Sequence, residues 1–251
     1  MPSFPPNEGG GKGGLPGAIA PVKSRLLFHT MAKDLRASFE SLSAFAYDHL
    51  VNRLLSRELV PGDLLNRRQI AKELHISVAP VAEAMLQLQA DGFLESIPRK
   101  GTLVKSIRKE DLRGQILLRE ALECEGARLY CGRKLRERLE EFNRLADEVE
   151  ATRNSPDYWE WEIRFHRALL ELAECPALLE VYDKVMRRQL FMAQNFLLPA
   201  HTGSERHDHR RLLEELSAGK ANNARSADKA AASLRRHIRS GKLDILGLPP
   251  E

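Results

Sequence analysis

The sequence predicts a mainly α-helical protein: an N-terminal winged helix-turn-helix of three helices and a β-hairpin wing, followed by an all-α bundle. Three observations predict it. Between about residue 41 and residue 106 the signals run helix, helix, tight break, helix, hairpin. From about Ile107 onward, apolar residues recur at helical spacing with only short breaks such as NSPD and AECPA. The first residues, with GGGKGG at their centre, carry no such pattern. The expected divisions are a disordered Gly/Pro-rich tail (1–38), the winged unit (39–106), the bundle (107–243) and a flexible end (244–251).

Each element has its own signal. In SLSAFAYDHLVNRLLSRELVPGD, Leu42, Phe45, Ala46, His49, Leu50, Leu54 and Leu55 share a helix face, and Pro61-Gly62 stops the helix. The second helix starts at Asn66, a good cap, with Gln69 three residues on in a capping-box arrangement. Its inward residues are Ile70, Ala71 and Leu74. A break at His75-Ile76 leads to a third helix, capped by Ser77 with Pro80 in its first turn. Its buried stripe is Val81, Ala84 or Met85, and Leu88, and Asp91-Gly92 ends it. FLESI and TLVKS then read as two strands around PRKG. In this layout the third helix enters the major groove of DNA and the hairpin touches the backbone. The bundle is expected to hold six or seven amphipathic helices, among them KLRERLEEFNRLADEVE and YWEWEIRFHRALLELA.

Composition is that of an ordinary globular chain, 43% hydrophobic and 29% charged, with a net charge of +4. That balance permits nucleic-acid binding without arguing for it. No apolar run approaches the ~20 residues that span a membrane, and the start lacks a signal-peptide pattern, so the expected location is cytoplasmic. Of the three cysteines, Cys124 and Cys131 stand about 10.5 Å apart on one helix. That is too far for a disulfide. Reduced thiols, Cys175 included, fit a reducing compartment.

Polar residues on apolar faces are the functional signal. Glu162 and His166 lie four apart on the stripe of Trp159, Phe165, Leu169 and Leu172 or Ala173. His209 falls on the stripe of Leu212, Leu213 and Leu216, whereas His207 points elsewhere. His237 lies within the stripe of Ala230, Leu234, Ile238 and Gly241. Burying these groups unpaired would cost several kcal/mol. A shared divalent metal, zinc foremost, with nickel, manganese or iron also suited to such ligands, would satisfy all four. Separate ion pairs and core histidines are the alternative. Arg119 and Glu123 form a further i, i+4 pair on the stripe with Ile116, Gly126 and Tyr130. It is either an intrahelical ion pair on a solvated edge or an arginine aimed into a cavity, where its fork takes a ligand carboxylate.

Several stretches together resemble the GntR family of bacterial transcription regulators, in the FadR-like branch with an FCD effector domain. In the N-terminal half they are PGDLLNRRQIAKELHIS, SVAPVAEAMLQLQADGFLE and RKGTLV. In the bundle they are RxxLE at Arg119–Glu123, EIRFHRALLELAECPAL, DHRRLLEEL and LRRHI. The resemblance covers residues 41 to about 241. It implies an FCD-type bundle with a metal bound by Glu162 (where the family has Asp), His166, His209 and His237. The family has Asn where this chain has Cys175, and GKANNARSADKAA is longer than usual. The resemblance further implies a small carboxylate effector held near Arg119 and Glu123, a homodimer, a pseudo-palindromic double-stranded DNA operator and a repressor role. No enzymatic activity is expected, since no general base or nucleophile stands beside the proposed ligands.

The DNA face departs from the family pattern. Where the family motif reads Arg-Thr-Pro-Val-Arg-Glu-Ala, this chain has VAPVAEA, with Val78 and Ala82 replacing both arginines. The candidate contacts are Arg67, Arg68, Ser77, Val78, Ala79, Ala82, Arg99, Lys100 and Thr102. Arg68 matches a DNA-contacting arginine of the family and Arg67 does not. Either Val78, Ala79 and Ala82 touch thymine methyls, or DNA affinity has fallen and the chain serves as a metal- or metabolite-binding dimer with weakened DNA binding.

Overall fold

The structure is a computed structural model that describes residues 42–153, 155, 157–195, 208–220 and 223–240. The expected tail (1–38), the expected end segment (244–251), His207 and Gly241 lie outside the described residues.

The winged unit has the predicted order plus one strand. Helix α1 (Leu42–Leu55) is followed by β1 (Leu64–Leu65), α2 (Arg67–Leu74), α3 (Val78–Ala90), β2 (Leu94–Ile97) and β3 (Gly101–Val104). The three strands form one sheet in the order β1-β3-β2, antiparallel throughout. β1 escaped the sequence reading because two residues carry no periodicity. Helix α1 packs on α3 through Ala46, Tyr47, Leu50, Val51, Leu54 and Leu55. The expected inward residues Leu42 and Phe45 are instead 56% and 46% exposed. The buried stripe is rotated toward Tyr47, whose hydroxyl donates to Asp91 at 2.6 Å. The helix also ends before Pro61, because Arg57 adopts a left-handed conformation and closes it.

Asn66 caps α2, its side chain accepting from the backbone N–H groups of Arg68 (3.0 Å) and Gln69 (3.3 Å). The expected capping box does not form, since the Gln69 amide donates to Glu73 instead. Ser77 holds the cap position of α3, but its side chain makes no capping hydrogen bond. Both Ala84 and Met85 are buried in that helix. Gly92, at φ +80°, ends the segment where a Cβ would strike the Arg188 guanidinium at 2.6 Å. A left-handed turn against a neighbouring cation leaves glycine as the residue that fits.

The bundle contains seven helices among the described residues: α4 (Lys109–Tyr130), α5 (Arg133–Arg136), α6 (Leu139–Ala151), α7 (Tyr158–Glu171), α8 (Pro176–Asn195), α9 (His209–Ser217) and α10 (Ala224–Arg239). The run read as a single helix from KLRERLEEF onward is broken at Glu137–Arg138 into α5 and α6. In α7 Tyr158 is buried and Trp159 only half-buried, because the stripe follows Tyr158, Glu162, Phe165 and Leu169.

The hydrophobic core does not stop at the boundary between the two units. Tyr182, Met186, Leu190, Phe191 and Met192 of α8 belong to the same cluster as the winged unit's core. Phe93 and Phe191 meet edge to face at 5.5 Å between ring centroids, a geometry that adds to their area burial. A polar clamp lies at the chain junction. Asp111 accepts from Lys105 at 3.0 Å and from the Arg108 guanidinium at 3.2 Å, with Arg188 of α8 at 3.6 Å. Burial alone would push the Asp111 carboxyl up, but Lys105 and Arg108 outweigh it and hold the carboxyl below its usual value.

The sign of the resulting pH dependence follows. A depressed carboxyl stabilises the fold above its unfolded pKa, and that contribution disappears as pH falls through the folded value. Asp111→Asn is therefore expected to cost about 1 kcal/mol at neutral pH. The difference from the parent should hold constant down to about pH 5 and shrink below about pH 4. Urea melts across that range check it, and a pH-independent difference would contradict this role.

Candidate metal centre and nucleic-acid face

Three helices bring the predicted polar residues together. Glu162 and His166 lie on α7, His209 opens α9 and His237 stands near the end of α10. Their potential ligand atoms all lie within 4.8 Å of one another, and all four side chains are buried. Local features place each one. Asp208 caps α9 by accepting from the N–H groups of Arg210 and Arg211. Arg210 also grips Asp147 of α6 through two hydrogen bonds, 2.7 and 2.6 Å. This fixes the start of α9, and with it His209, against α6. On α10, Arg235 and Arg239 flank His237 and both donate to Glu120 of α4.

Carboxylates flank the imidazoles of His166 and His209, and hydrogen bonds to them hold His209. His166 has Nδ1 2.7 Å from Glu123 and Nε2 3.4 Å from Glu162. His209 has Nδ1 2.8 Å from Glu150 and Nε2 3.0 Å from Glu162. In each ring, then, one nitrogen faces an outer carboxylate and the other faces the centre. Glu150 was not singled out in the sequence, because in LEEFNRLADEVEA it looks like any solvated glutamate.

Arg119 and Glu123 join this cluster and do not form a solvated pair at an edge. Both are almost fully buried. Arg119 donates from Nε to Glu123 at 2.5 Å and from Nη2 to Glu162 at 3.0 Å. The fork expected to take a ligand carboxylate is thus largely engaged by protein carboxylates, and only Nη1 remains without a partner. Tyr158 completes the shell by donating to Glu162 at 3.1 Å.

The charges explain the titration behaviour. Burial opposes ionisation of Glu162, but His166, Arg119 and His209 outweigh it and hold the carboxyl well below its ordinary range. Glu123 is held down in the same way by Arg119 and His166. Burial would lower the His209 pKa, but its bonds to Glu150 and Glu162 raise it. With neutral imidazoles, the buried charges are Arg119 at +1 and Glu123 and Glu162 at −1 each, a net −1. A divalent cation would turn this to +1, which one carboxylate ligand would neutralise.

The candidate DNA-contacting residues are exposed or half-buried, and the structure adds one more candidate. Val78 and Ala79 are exposed and Ala82 half-buried. Leu86, 65% exposed, continues the line of Val78 and Ala82 at i+8. The sequence reading passed over it because an apolar residue on a helix suggests core. Arg67, Arg68, Ser77, Arg99 and Lys100 are exposed, and Thr102 is half-buried with its hydroxyl 3.3 Å from Ser96. Pairing of Leu65 with Thr102 in antiparallel register carries the start of α2 and the wing tip to the same end of the sheet. The basic residues of both therefore share that end. No helix among the described residues is long and apolar enough to cross a membrane.

A winged helix joined to a helical bundle with a buried His/Glu cluster defines a class of bacterial regulator. Two family models match: "Bacterial regulatory proteins, gntR family" over residues 42–104 and "FCD domain" over residues 116–240. The chain belongs to the GntR family and carries an FCD domain; its relatives are regulators, not enzymes. It is 27% identical over 137 residues to the HTH-type transcriptional repressor RspR of Escherichia coli K12. That match covers 50% of this chain and 58% of that protein, so the chain spans little more than half the length of this relative. It is 26% identical over 201 residues to the "Probable D-xylose utilization operon transcriptional repressor" of Paenarthrobacter nicotinovorans, covering 75% and 84% of the two chains. Among solved structures, a GntR regulator from Rhodococcus sp. RHA1 superposes with a TM-score of 0.63 at 21% identity, over 84% of this chain and all of that one. E. coli McbR/YncC superposes with a TM-score of 0.55 at 20% identity, over 83% and 99%. At those identities the likeness establishes the fold.

The buried ion network has a direct consequence for stability. Arg119→Met would leave Glu123 and Glu162 facing each other without their common cation. It is expected to destabilise the chelator-treated protein by about 3–5 kcal/mol. Guanidinium denaturation measures this, and a loss under about 1 kcal/mol would mean that the arginine does not hold the two carboxylates.

Proposed function

We propose that this chain is a DNA-binding transcription regulator, acting as a homodimeric repressor on a pseudo-palindromic operator. Its bundle holds one divalent transition metal, zinc foremost, and responds to a small carboxylate effector. The observation that carries the reading is the orientation of His166 and His209. Each presents Nδ1 to a carboxylate and Nε2 to Glu162. Metal-ligating histidines are oriented in this way, since the outer carboxylate fixes the tautomer and raises the basicity of the inner nitrogen. The donor set of three imidazoles and a carboxylate suits zinc, nickel, manganese or iron. Tetrahedral ligands at about 2.1 Å from an ion stand about 3.4 Å apart, so ligand atoms that now lie within 4.8 Å of one another would draw closer by up to about 1.4 Å on binding.

In this reading Glu162, His166, His209 and His237 hold the metal, while Glu123 and Glu150 orient the two histidines. The bound metal supplies positive charge that attracts an effector carboxylate. Arg119 offers Nη1 to the same carboxylate and balances Glu123 and Glu162. Effector binding shifts the relative placement of the two DNA-binding heads. Those heads contact phosphates through Arg67, Arg68, Ser77, Arg99, Lys100 and Thr102, and bases through α3.

Protein purified without a histidine tag should contain about one metal ion per chain by elemental analysis, a single site being closed by one four-ligand set. His166→Ala should lose that metal, and Glu150→Gln should weaken its binding by about 10–100-fold. Full metal content in His166→Ala would rule out this ligand set.

The apolar line of Val78, Ala82 and Leu86 favours thymine methyls as the base contacts of α3. Alternating poly(dA-dT) should bind several-fold more tightly than alternating poly(dA-dU), which lacks only those methyls. Val78→Arg with Ala82→Arg should reduce this preference, tighten binding overall and steepen the salt dependence. The change in log–log slope approaches about −4 if all four arginines of a dimer reach phosphates. If both polymers bind equally and the double variant matches its parent, α3 does not face DNA. The chain would then be a metal- or metabolite-binding module.

A further inference from the structure

The outer side of α4 is apolar, and none of the described residues covers it. Leu117, Leu118 and Leu129 are 43%, 48% and 52% exposed, Ala121 is exposed and Leu122 half-buried. At about 100° per residue, these five residues and Gly114 occupy an arc of about 140° on one side of the helix. Val181 of α8, 46% exposed, widens that side. The Asp111–Arg188 contact and the approach of Gly126 to Leu178 set α4 and α8 antiparallel, with Val181 level with Leu118 and Leu122. The buried side of α4 meanwhile carries Arg119, Glu120 and Glu123. An ordinary surface helix buries apolar residues and exposes charged ones. Single apolar residues on a surface need no explanation, but a contiguous patch marks an interaction site.

The charges on this side show what covers it. Glu110 and Arg128 stand nine residues to either side of position 119, Arg113 and Glu125 six, and Leu117 and Ala121 two. A second copy of α4, laid antiparallel across the first at that level, therefore sets each charge against its opposite and apolar residue against apolar residue. A parallel copy would set like charge against like, which disfavours it. Glu110 and Arg113 make no ion pair among the described residues, whereas Arg128 already meets Glu125 and Asp228 in its own chain. The Arg113–Glu125 pair thus carries the choice of direction. Gly114 and Ala121 put small residues along the middle of the side, and a Cβ on Gly114 would meet nothing within 4 Å. That leaves room for a helix at the short end of the usual interaxial distance of about 8–10 Å.

We infer that the outer side of α4, extended by Val181, is where a second copy of this chain packs, the two α4 helices running antiparallel about a two-fold axis at the level of residue 119. This rests on the reading of the chain as a homodimer and names the surface that makes it. A two-fold contact pairs residue i with j and j with i, which is the arrangement the charges require. From Glu110 to Arg128 the helix runs about 27 Å, so the contact extends over nearly all of α4. The leucines supply its apolar centre, and the charged residues form a rim that fixes direction. Nucleic acid does not suit this side, since Arg113 and Arg128 are matched in number by Glu110 and Glu125.

Sedimentation equilibrium on the full chain tests this. The parent should sediment as a dimer. Leu118→Glu should weaken the dimer by about 30-fold or more, because it buries an unpaired charge at the centre of the contact. Its helical circular dichroism should match the parent's, since the position is exposed in the single chain. Arg113→Glu and Glu125→Arg should each weaken the dimer by about threefold to tenfold. The two reversals together should restore it to within about threefold of the parent, because the pair interacts across the axis. That rescue separates a charge pair from a general effect of altering the surface. If Leu118→Glu does not fold, the two reversals and their combination decide alone. A parent that stays monomeric overturns both the inference and the homodimer reading. An undiminished dimer in Leu118→Glu and in both reversals overturns the inference and leaves the homodimer reading standing. Weakening by the single reversals without rescue by their combination overturns the antiparallel arrangement, and the inference with it.

Discussion

The carboxylate of Glu162 is the point on which the bundle is organised. It is almost fully buried, yet it accepts from Arg119 of α4 and from Tyr158 of its own helix, has His209 Nε2 of α9 at 3.0 Å, and has His166 one turn further along α7. A buried carboxylate without such partners would take up a proton. Here the partners hold it ionised, and each arrives on a helix fixed by a second polar contact. Arg210 ties α9 to Asp147 of α6, and Arg167 ties α7 to Asp183 of α8. Hydrophobic packing brings these helices together. The ionised glutamate selects the register in which the three histidine rings converge, their centroids 4.7 to 5.9 Å apart.

Helix α8 links that centre to the winged unit. One of its faces carries Tyr182, beside Arg119, while Phe191 further along packs on Phe93, directly after α3 and its Gly92 turn. Arg188 reaches Asp111 at the chain junction. A displacement of α8 by anything bound beside Arg119 therefore acts on the position of the winged unit through packed rings and an ion pair. Close-packed contacts of this type transmit small shifts because they have no slack to absorb them. The shared core makes the two units one mechanical body.

Helix α3 shows how a framework can stay fixed while its exposed face varies. Val81, Ala84, Met85 and Leu88 keep α3 seated on α1, so its exposed face can vary without cost to the fold. That face here is an apolar line, with the positive charge moved to its flanks at Arg67, Arg68, Arg99 and Lys100. The β1–β3 pairing holds those flanks at one end of the sheet.

Much of this was legible in the chain itself. Helical spacing marked every helix but the short α5, which it ran together with α6, turn chemistry marked the hairpin, and Glu162, His166, His209 and His237 stood out because polar residues interrupted apolar stripes. A stripe records which residues share a face, and a two-turn repeat is enough to see it. What it cannot record is which faces meet. Glu150, Tyr158 and Tyr182 took their roles from helices that approach one another only in the folded chain, and β1 exists only because β3 lies alongside it. Arg119 shows the difference most clearly. Its spacing from Glu123 was apparent in the sequence, but its commitment to Glu162, 43 residues away, was decided by tertiary packing. Burial in a low-dielectric interior makes a charge seek the nearest counter-charge in space, and nearness in space is set by the fold.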